Sequence, residues 1–261
     1  MILSHFLYVR DYGEGFGNMD RLYLVIPAYN ESGNIEACVR DWYPVVEGLN
    51  AESRLVIVND GSKDDTFEKL TVLAASRPQL IPLTKPNGGH GSAVLFGYRY
   101  ALEQGADFVF QTDSDGQTLP GEFPAFWEKR GDCDAVIGER HTRGDGKSRQ
   151  FVENVVCLLL RLIFHVRVRD ANAPFRLMSA PLLAKYIGRL PEDFNIPNIM
   201  FTVYFVKGGN RVLFLPITFR PRQGGKNSIN VRKIIGIGWK AVGDFRRLKK
   251  EMKRYEAPEK V

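Results

Sequence analysis

Three cysteines in 261 residues, Cys38, Cys133 and Cys157, are too few and too unpatterned for a disulfide framework or a zinc-ligand cluster. They read as reduced thiols of a cytosolic protein. Long hydrophobic runs are also missing. No stretch reaches the roughly 18 uncharged apolar residues of a membrane-spanning helix. The longest candidate, Val155 to Val166, is short and interrupted by Arg161. The first residues carry Arg10, Asp11 and Glu14, which break any signal-peptide core. Internal repeats and low-complexity tracts are absent, so solenoids and disordered arrays are excluded. What remains is an ordinary globular composition, 44% hydrophobic and 25% charged, long enough for one sizeable core. Charge is uneven: Arg220 to Val261 holds thirteen Lys and Arg against four Asp and Glu, a net +9 that leaves about −3 for the rest.

Strand-like runs alternate with helix-like stretches through the first half. Leu22 to Ile26 reads as a buried strand ended by Pro27, and a helix follows to about Val46 with Asn30 or Ser32 as its cap. Leu55 to Val58 and Leu80 to Leu83 are further strands, each followed by a turn and a helix, to Ser76 and over Ala93 to Glu103. Ala106 to Phe110 is the fourth strand, with a helix over Glu122 to Lys129. This alternation predicts an α/β fold, a doubly wound and mostly parallel sheet whose strand-to-helix loops gather at one edge. The second half is less regular. Ala135 to Gly138 and Phe175 to Met178 return to the sheet, Arg149 to Val166 is an amphipathic helix, and Val212 to Leu215 is a strand ended by Pro216. Residues 1–20 read as an extension, with Met19 a possible start, 21–228 as the domain, and 229–261 as a basic amphipathic helix and tail.

One loop carries the most chemistry. After the fourth strand comes Gln111-Thr112-Asp113-Ser114-Asp115-Gly116-Gln117. Asp113 and Asp115, one residue apart in an extended segment, share a face. Two oxygen ligands there suit a hard divalent ion that completes its shell with water and phosphate. An ordinary Asp-Ser-Asp-Gly surface turn is the competing reading.

Pro27-Ala28-Tyr29-Asn30-Glu31, Val58-Asn59-Asp60-Gly61-Ser62 and Asp113-Ser114-Asp115, in that order, resemble family 2 glycosyltransferases of the GT-A fold. Asn87-Gly88-Gly89-His90-Gly91-Ser92-Ala93, Asp115-Gly116-Gln117, Gly138-Glu139-Arg140 and Asp170 through Phe175-Arg176 narrow the likeness to the polyprenyl-phosphate branch, typified by dolichyl-phosphate mannosyltransferase. The resemblance implies a metal-dependent inverting transferase that moves a hexose from a nucleotide diphosphate-sugar to a polyprenyl phosphate at the cytosolic membrane face. It implies a base and donor pocket from Pro27, Tyr29, Glu31, Asp60, Asn87 and Gly91. It implies Mg²⁺ or Mn²⁺ on Asp113, Asp115 and Gln117, and phosphate contacts from Arg140, Arg149 and Arg176, with Asp115, Arg140 and Arg176 at the centre of catalysis. Turn chemistry is the competing reading for Asp60, and a bland surface arginine for Arg149.

Two motifs point elsewhere and are weaker. Gly88, Gly89 and Gly91 suggest a dinucleotide fingerprint, but the loop follows the third strand and Val94 stands where a third glycine belongs. Glu192-Asp193 is the only acidic pair placed like a general base, and flanking Pro191 and Pro197 favour a solvated loop. A phosphate acceptor needs no base, because its second pKa is near 6. Departures from the family pattern are Pro174, where glycine is usual, and the absence of a C-terminal transmembrane pair. Alternatives are a soluble transferase acting on a sugar hydroxyl of a saccharide or glycolipid, and a catalytically inactive nucleotide-sugar-binding protein. No nucleic-acid partner is expected. Val231, Ile234, Ile235, Gly238, Val242, Phe245, Leu248 and Met252 form one helical stripe beside many Lys and Arg, which predicts a helix lying on a membrane surface, on a membrane-protein partner or on its own domain.

Overall fold

A computed structural model describes residues 20–143, 147–221 and 243–250, with side chains left undescribed over 141–152. The expected N-terminal extension and most of the C-terminal stripe lie outside the described residues. Seven strands, β1 (Leu22–Ala28), β2 (Arg54–Asn59), β3 (Leu80–Thr84), β4 (Phe108–Gln111), β5 (Ala135–Arg143), β6 (Arg176–Ser179) and β7 (Val212–Phe219), form one sheet in the order β3-β2-β1-β4-β6-β5-β7. Only β6 runs antiparallel to its neighbours, β4 and β5. The mixed but mostly parallel GT-A sheet matches the expectation. The reversal of β6 has a consequence for function: its first residue, Arg176, pairs with Gln111 at the last position of β4. The segment entering β6 therefore reaches the same sheet edge as the loops leaving β1, β2, β3 and β4.

The central strands are buried on both faces, so they read as unbroken apolar runs. Leu22, Leu24 and Ile26 of β1 face one core cluster, with Leu55, Ile57 and Phe110. Tyr23 and Val25 face the other, with Val56, Val58 and Val109. The first cluster lies under α1 (Ile35–Glu47), α2 (Thr66–Ala74) and α4 (Phe123–Glu128). The second lies under α3 (His90–Glu103), α5 (Lys147–Phe164), α6 (Ala180–Ile187) and α7 (Pro197–Lys207). On α3, a Cβ at Gly97 would stand 2.4 Å from Val25 Cγ1, so a missing side chain lets this helix sit directly on β1.

Beneath β4, Phe110 is fully buried in an aromatic cluster. It meets Phe175 and Phe123 edge-on, with ring centroids 4.7 and 5.1 Å apart, and Trp42 of α1 at 5.8 Å. These contacts fix the strand that delivers Asp113.

Several elements differ from expectation. Helices α6 and α7 were not foreseen. The buried residues of α7 form an unbroken run from Pro197 to Phe205, so it has no polar face and shows no amphipathic period. Strand β7 continues through Pro216 to Phe219, because an edge strand paired only with β5 tolerates a missing N–H. Asn30 and Ser32 do not cap α1, which starts after Asn34. A further helix, α8, covers 243–250, and Phe245 and Leu248 on it are fully buried in the core. In this described portion the apolar stripe faces the protein's own domain, while Arg246, Arg247 and Lys250 face outward. Among the described residues no helix is long and apolar enough to cross a membrane.

Removing the ring of Phe110 would leave a cavity between α1, α4 and β4. Phe110→Ala should therefore lower unfolding free energy by about 3–5 kcal/mol in urea denaturation, and a loss under about 1 kcal/mol would show that the cluster is not a structural support.

Candidate active site

Four loops meet at the edge where β1, β2, β3 and β4 end, and polar side chains stitch them together. Asn30, at φ 53°, donates its backbone N–H to Ser62 Oγ at 2.9 Å and accepts from Lys63 N at 2.8 Å. Glu31 N donates to Thr66 Oγ1 at 3.0 Å. Pro27 and Glu31 are buried at the base of this seam, Glu31 accepting from Asn34 Nδ2, while Tyr29 stands exposed above it.

Asp60 links the second and third loops. Its Oδ1 accepts from Lys85 Nζ at 2.9 Å and from Gly88 N at 3.0 Å, and its Oδ2 accepts from Gly89 N at 2.8 Å. Asn87 Nδ2 returns a bond to the Asp60 carbonyl at 2.8 Å. The neighbouring Gly61 has φ +65°, and a Cβ there would stand 2.7 Å from Asn87 N. The Asn-Asp-Gly turn and the glycine loop thus form one unit. The sequence singled out Asp60 and Asn87 but missed Lys85, which neutralises the buried carboxylate. Gly91 opens α3 beneath another loop, since a Cβ there would fall 2.1 Å from Phe194 O. That contact brings the Glu192-Asp193 loop over the site. Glu192 itself is exposed, with Arg99 at 4.0 Å.

The turn after β4 presents the two carboxylates. Thr112 and Thr118 hydroxyls close its neck at 2.6 Å, and Gly116 takes φ 72°. Asp115 Oδ1 accepts from Gln117 N at 3.2 Å. Asp113 Oδ1 is buried and has no hydrogen-bond partner, and His90 Nε2 lies 3.9 Å away. Asp113 and Asp115 border a shallow open recess that Asn34, Cys38 and Asp41 of the α1 side also line. Burial pushes the Cys38 thiol up, and the nearby carboxylates Asp41, Glu31, Asp115 and Asp113 push it in the same direction. Among the described residues no three His, Cys, Asp or Glu side chains converge into a closed metal cage. Gln117 donates Nε2 to the Arg220 carbonyl at 2.8 Å, and Arg220 N returns a bond to the Gln117 carbonyl at 2.8 Å. This tie anchors the turn to the end of β7.

Two of the three arginines expected at phosphates, Arg140 and Arg176, have buried side chains that bond within the protein instead. Arg140 holds Asp170 with its fork, Nη2 to Oδ1 at 2.7 Å and Nε to Oδ2 at 2.5 Å, and Glu153 Oε2 lies 3.8 Å away. Burial alone would lower its pKa, but bonding to Asp170 raises it overall. Arg176 is fully buried, and its guanidinium donates to the carbonyls of Ala173, Asn198 and Ala171. Burial pushes its pKa down to about 10, so it stays charged at neutral pH. Both residues brace the 170–176 segment, with Glu153 Oε1 accepting from Ala171 N at 3.1 Å. Glu153 was missed by the sequence reading, although a carboxylate in register with Leu160 and Phe164 on an apolar helix face signals a buried pairing. The side chain of Arg149 lies outside the described residues.

Comparison with known proteins places the chain in a family. Residues 23–163 match the family model described as glycosyl transferase family 2, and the chain belongs to that family. It is 28% identical to an undecaprenyl-phosphate mannosyltransferase of Micrococcus luteus, over 80% of this chain and 88% of that protein. Identity to a dolichol-phosphate mannosyltransferase of Pyrococcus furiosus is also 28%, over 81% of this chain but only 60% of the relative. A glucosyl-3-phosphoglycerate synthase from Mycobacterium tuberculosis, crystallised with Mn²⁺ and UDP-glucose, superposes with TM-score 0.64 at 18% identity, covering 89% of this chain and 80% of that one. This last likeness establishes the shared fold.

Two substitutions separate positioning from contact. Asp60→Ala should cost about 1.5–3 kcal/mol of nucleotide affinity, and should speed amide exchange at Gly88 and Gly89, which lose their acceptor. Unchanged affinity with faster exchange would make Asp60 a loop anchor alone. Arg176→Lys keeps the charge but replaces a fork whose Nε, Nη1 and Nη2 reach three separate carbonyls by one compact ammonium, so it should lower thermal stability by several degrees, the size of a shift of about 1–3 kcal/mol. Unaltered stability with transfer impaired would instead place Arg176 on a phosphate.

Proposed function

We propose that this protein is a metal-dependent inverting glycosyltransferase that moves a hexose from a nucleotide diphosphate-sugar to a polyprenyl phosphate at the cytosolic face of a membrane. The single observation that carries the reading is the buried Asp113 Oδ1 without a hydrogen-bond partner, beside Asp115, at the edge where an α/β sheet binds nucleotides. Burying a carboxylate oxygen unpaired is costly, and a cation bound there would offset that cost.

The residues present fit that cation. Asp113 and Asp115 would hold Mg²⁺ or Mn²⁺, and Oε1 of Gln117 is the atom on that side chain left to join them. The ion, when bound, neutralises the nucleoside diphosphate that departs as the glycosidic bond breaks. Open coordination by two carboxylates leaves room for water and diphosphate oxygens, as these hard ions prefer.

The chain's own groups do the rest. Asp60 has one oxygen with a single protein donor, suited to accept from a base imino N–H, and Pro27, Tyr29 and Glu31 line the same side. Glycines 88, 89 and 91 let backbone approach the donor next to the start of α3. No general base is needed for an acceptor phosphate already anionic at neutral pH. Exposed Glu192 is therefore left as a solvated loop residue in this mechanism. Arg140 and Arg176 act from inside, as braces of the 170–176 segment on the acceptor side. The acceptor class is supported by the names of the relatives, which act on undecaprenyl or dolichol phosphate. The outward basic side of α8 supports a position at an anionic membrane surface.

Transfer should require a divalent ion and fall by two orders of magnitude or more in Asp115→Ala, while melting temperature stays within a degree or two, since a loop carboxylate carries little packing. Sugar transfer from a donor panel to a short-chain prenyl phosphate, with Mn²⁺ and with excess chelator, measures this. Full activity in chelator would sink the metal assignment. Transfer to saccharide hydroxyls but not to lipid phosphate would replace the acceptor.

A further inference from the structure

The outward face of α5 is apolar, where a surface helix is ordinarily polar. Val155, Leu158 and Leu162 stand at i, i+3 and i+7 and share one stripe. Their exposures are 39%, 54% and 63%. The opposite side of the same helix buries Glu153, Leu160 and Phe164. Helix α5 is thus apolar on both sides. A single exposed leucine means little, but a contiguous stripe marks an interaction surface.

The surroundings of the stripe identify its partner. Exposed Arg161 flanks it on α5. The helix ends at His165, whose φ of 60° turns the chain into exposed Arg167 and Arg169. Phe164 packs edge-on against Phe245 with centroids 5.8 Å apart, which sets α8 and its exposed Arg246, Arg247 and Lys250 beside the same end of α5. The carboxylates nearby are spent on pairs, Asp244 with Arg247 and Glu139 with Arg169. Aliphatic side chains bordered by cations match the interface of an anionic bilayer, where the first enter the acyl boundary and the second meet lipid phosphates. A second copy of the chain docked stripe to stripe would set cations against cations.

We propose that the Val155–Leu158–Leu162 stripe is the surface by which this protein rests on an anionic bilayer, with the cations of α5, its following turn and α8 around it. The inference rests on the lipid-phosphate reading and adds to it. On its inner side α5 carries Glu153, which holds Ala171 and approaches Arg140. The helix that meets lipid is then the helix that braces the acceptor side of the site, so a lipid-borne phosphate arrives next to it.

The test is co-sedimentation of the full chain with vesicles of phosphatidylcholine alone and of phosphatidylcholine with phosphatidylglycerol, comparing wild type with Leu158→Ser/Leu162→Ser. Wild type should bind the anionic vesicles, less so at high salt. The double variant should bind them at least about tenfold more weakly, with unchanged melting temperature and oligomeric state and with transfer to a short-chain prenyl phosphate retained. Equal binding of the two proteins overturns the proposal. So does a drop of several degrees in melting temperature, which would mean that the chain's own residues 222–242 cover the stripe. Loss of an oligomer in the variant would assign the stripe to a second copy and overturn it too. Vesicle binding that is lost as expected, in a wild type that transfers sugar to no lipid phosphate, would sink the acceptor reading and leave the surface standing.

Discussion

A buried positive charge with no carboxylate on its guanidinium holds in place the segment entering β6, the acceptor side in the proposed mechanism. Arg176 stands at the first position of the only reversed strand and spends its donors on carbonyls of Ala171, Ala173 and Asn198. Those three residues belong to the segment before β6 and to the start of α7. Without a donor there, the Ala173 carbonyl would lose both of its bonds, and those of Ala171 and Asn198 would be left to the Thr202 hydroxyl, at a cost of about 1–3 kcal/mol per carbonyl left unpaired. The Arg140–Asp170 pair and Glu153 close the other side of the segment. A loop of small residues, Ala171 to Pro174, is thereby fixed as firmly as an element of regular structure.

The donor half is held differently. Its loops leave parallel strands, so each ends with free backbone groups at one edge, and short polar side chains satisfy them across loop boundaries. Asp60 gathers three donors from the β3 loop, and Asn30 and Thr66 join the β1 and β2 loops. Asp113 is the exception. Its buried Oδ1 has no hydrogen-bond partner among the described residues, and neither have Gln111 Nε2 and Asn198 Oδ1, but of the three only Asp113 carries a charge. That charged oxygen stands where the chemistry proposed for the site needs an added ion.

Helix α5 connects these halves to the outside. One face lies in the core through Leu160 and Phe164 and reaches the acceptor segment through Glu153, and the other shows leucines to the surroundings. Docking of α8 through Phe245 and Leu248 places a basic surface next to that apolar one. The described part of the basic tail, 243–250, is thus held on the domain by Phe245 and Leu248, with Arg246, Arg247 and Lys250 exposed.

By itself the sequence determined the first half of the fold and the motifs at its edge. Strands buried on both faces leave continuous apolar runs, and turns at their ends are written in Asn, Asp and Gly, so β1 to β4 and the Asp113–Asp115 pair were legible. It was far less informative where pairing is non-local. Helix α7 has no period because it is buried all round, and β7 runs through a proline that only its edge position makes tolerable. Arginine type and position suggested phosphate contacts for Arg140 and Arg176, since local sequence carries charge but not depth. Only the tertiary structure decided that these two face inward, because it takes the reversed strand β6 and the packing of α5 and α7 to surround them with carbonyls and carboxylates. The same holds for Lys85 and Asp60, 25 residues apart, whose 2.9 Å contact exists only because β2 and β3 lie side by side.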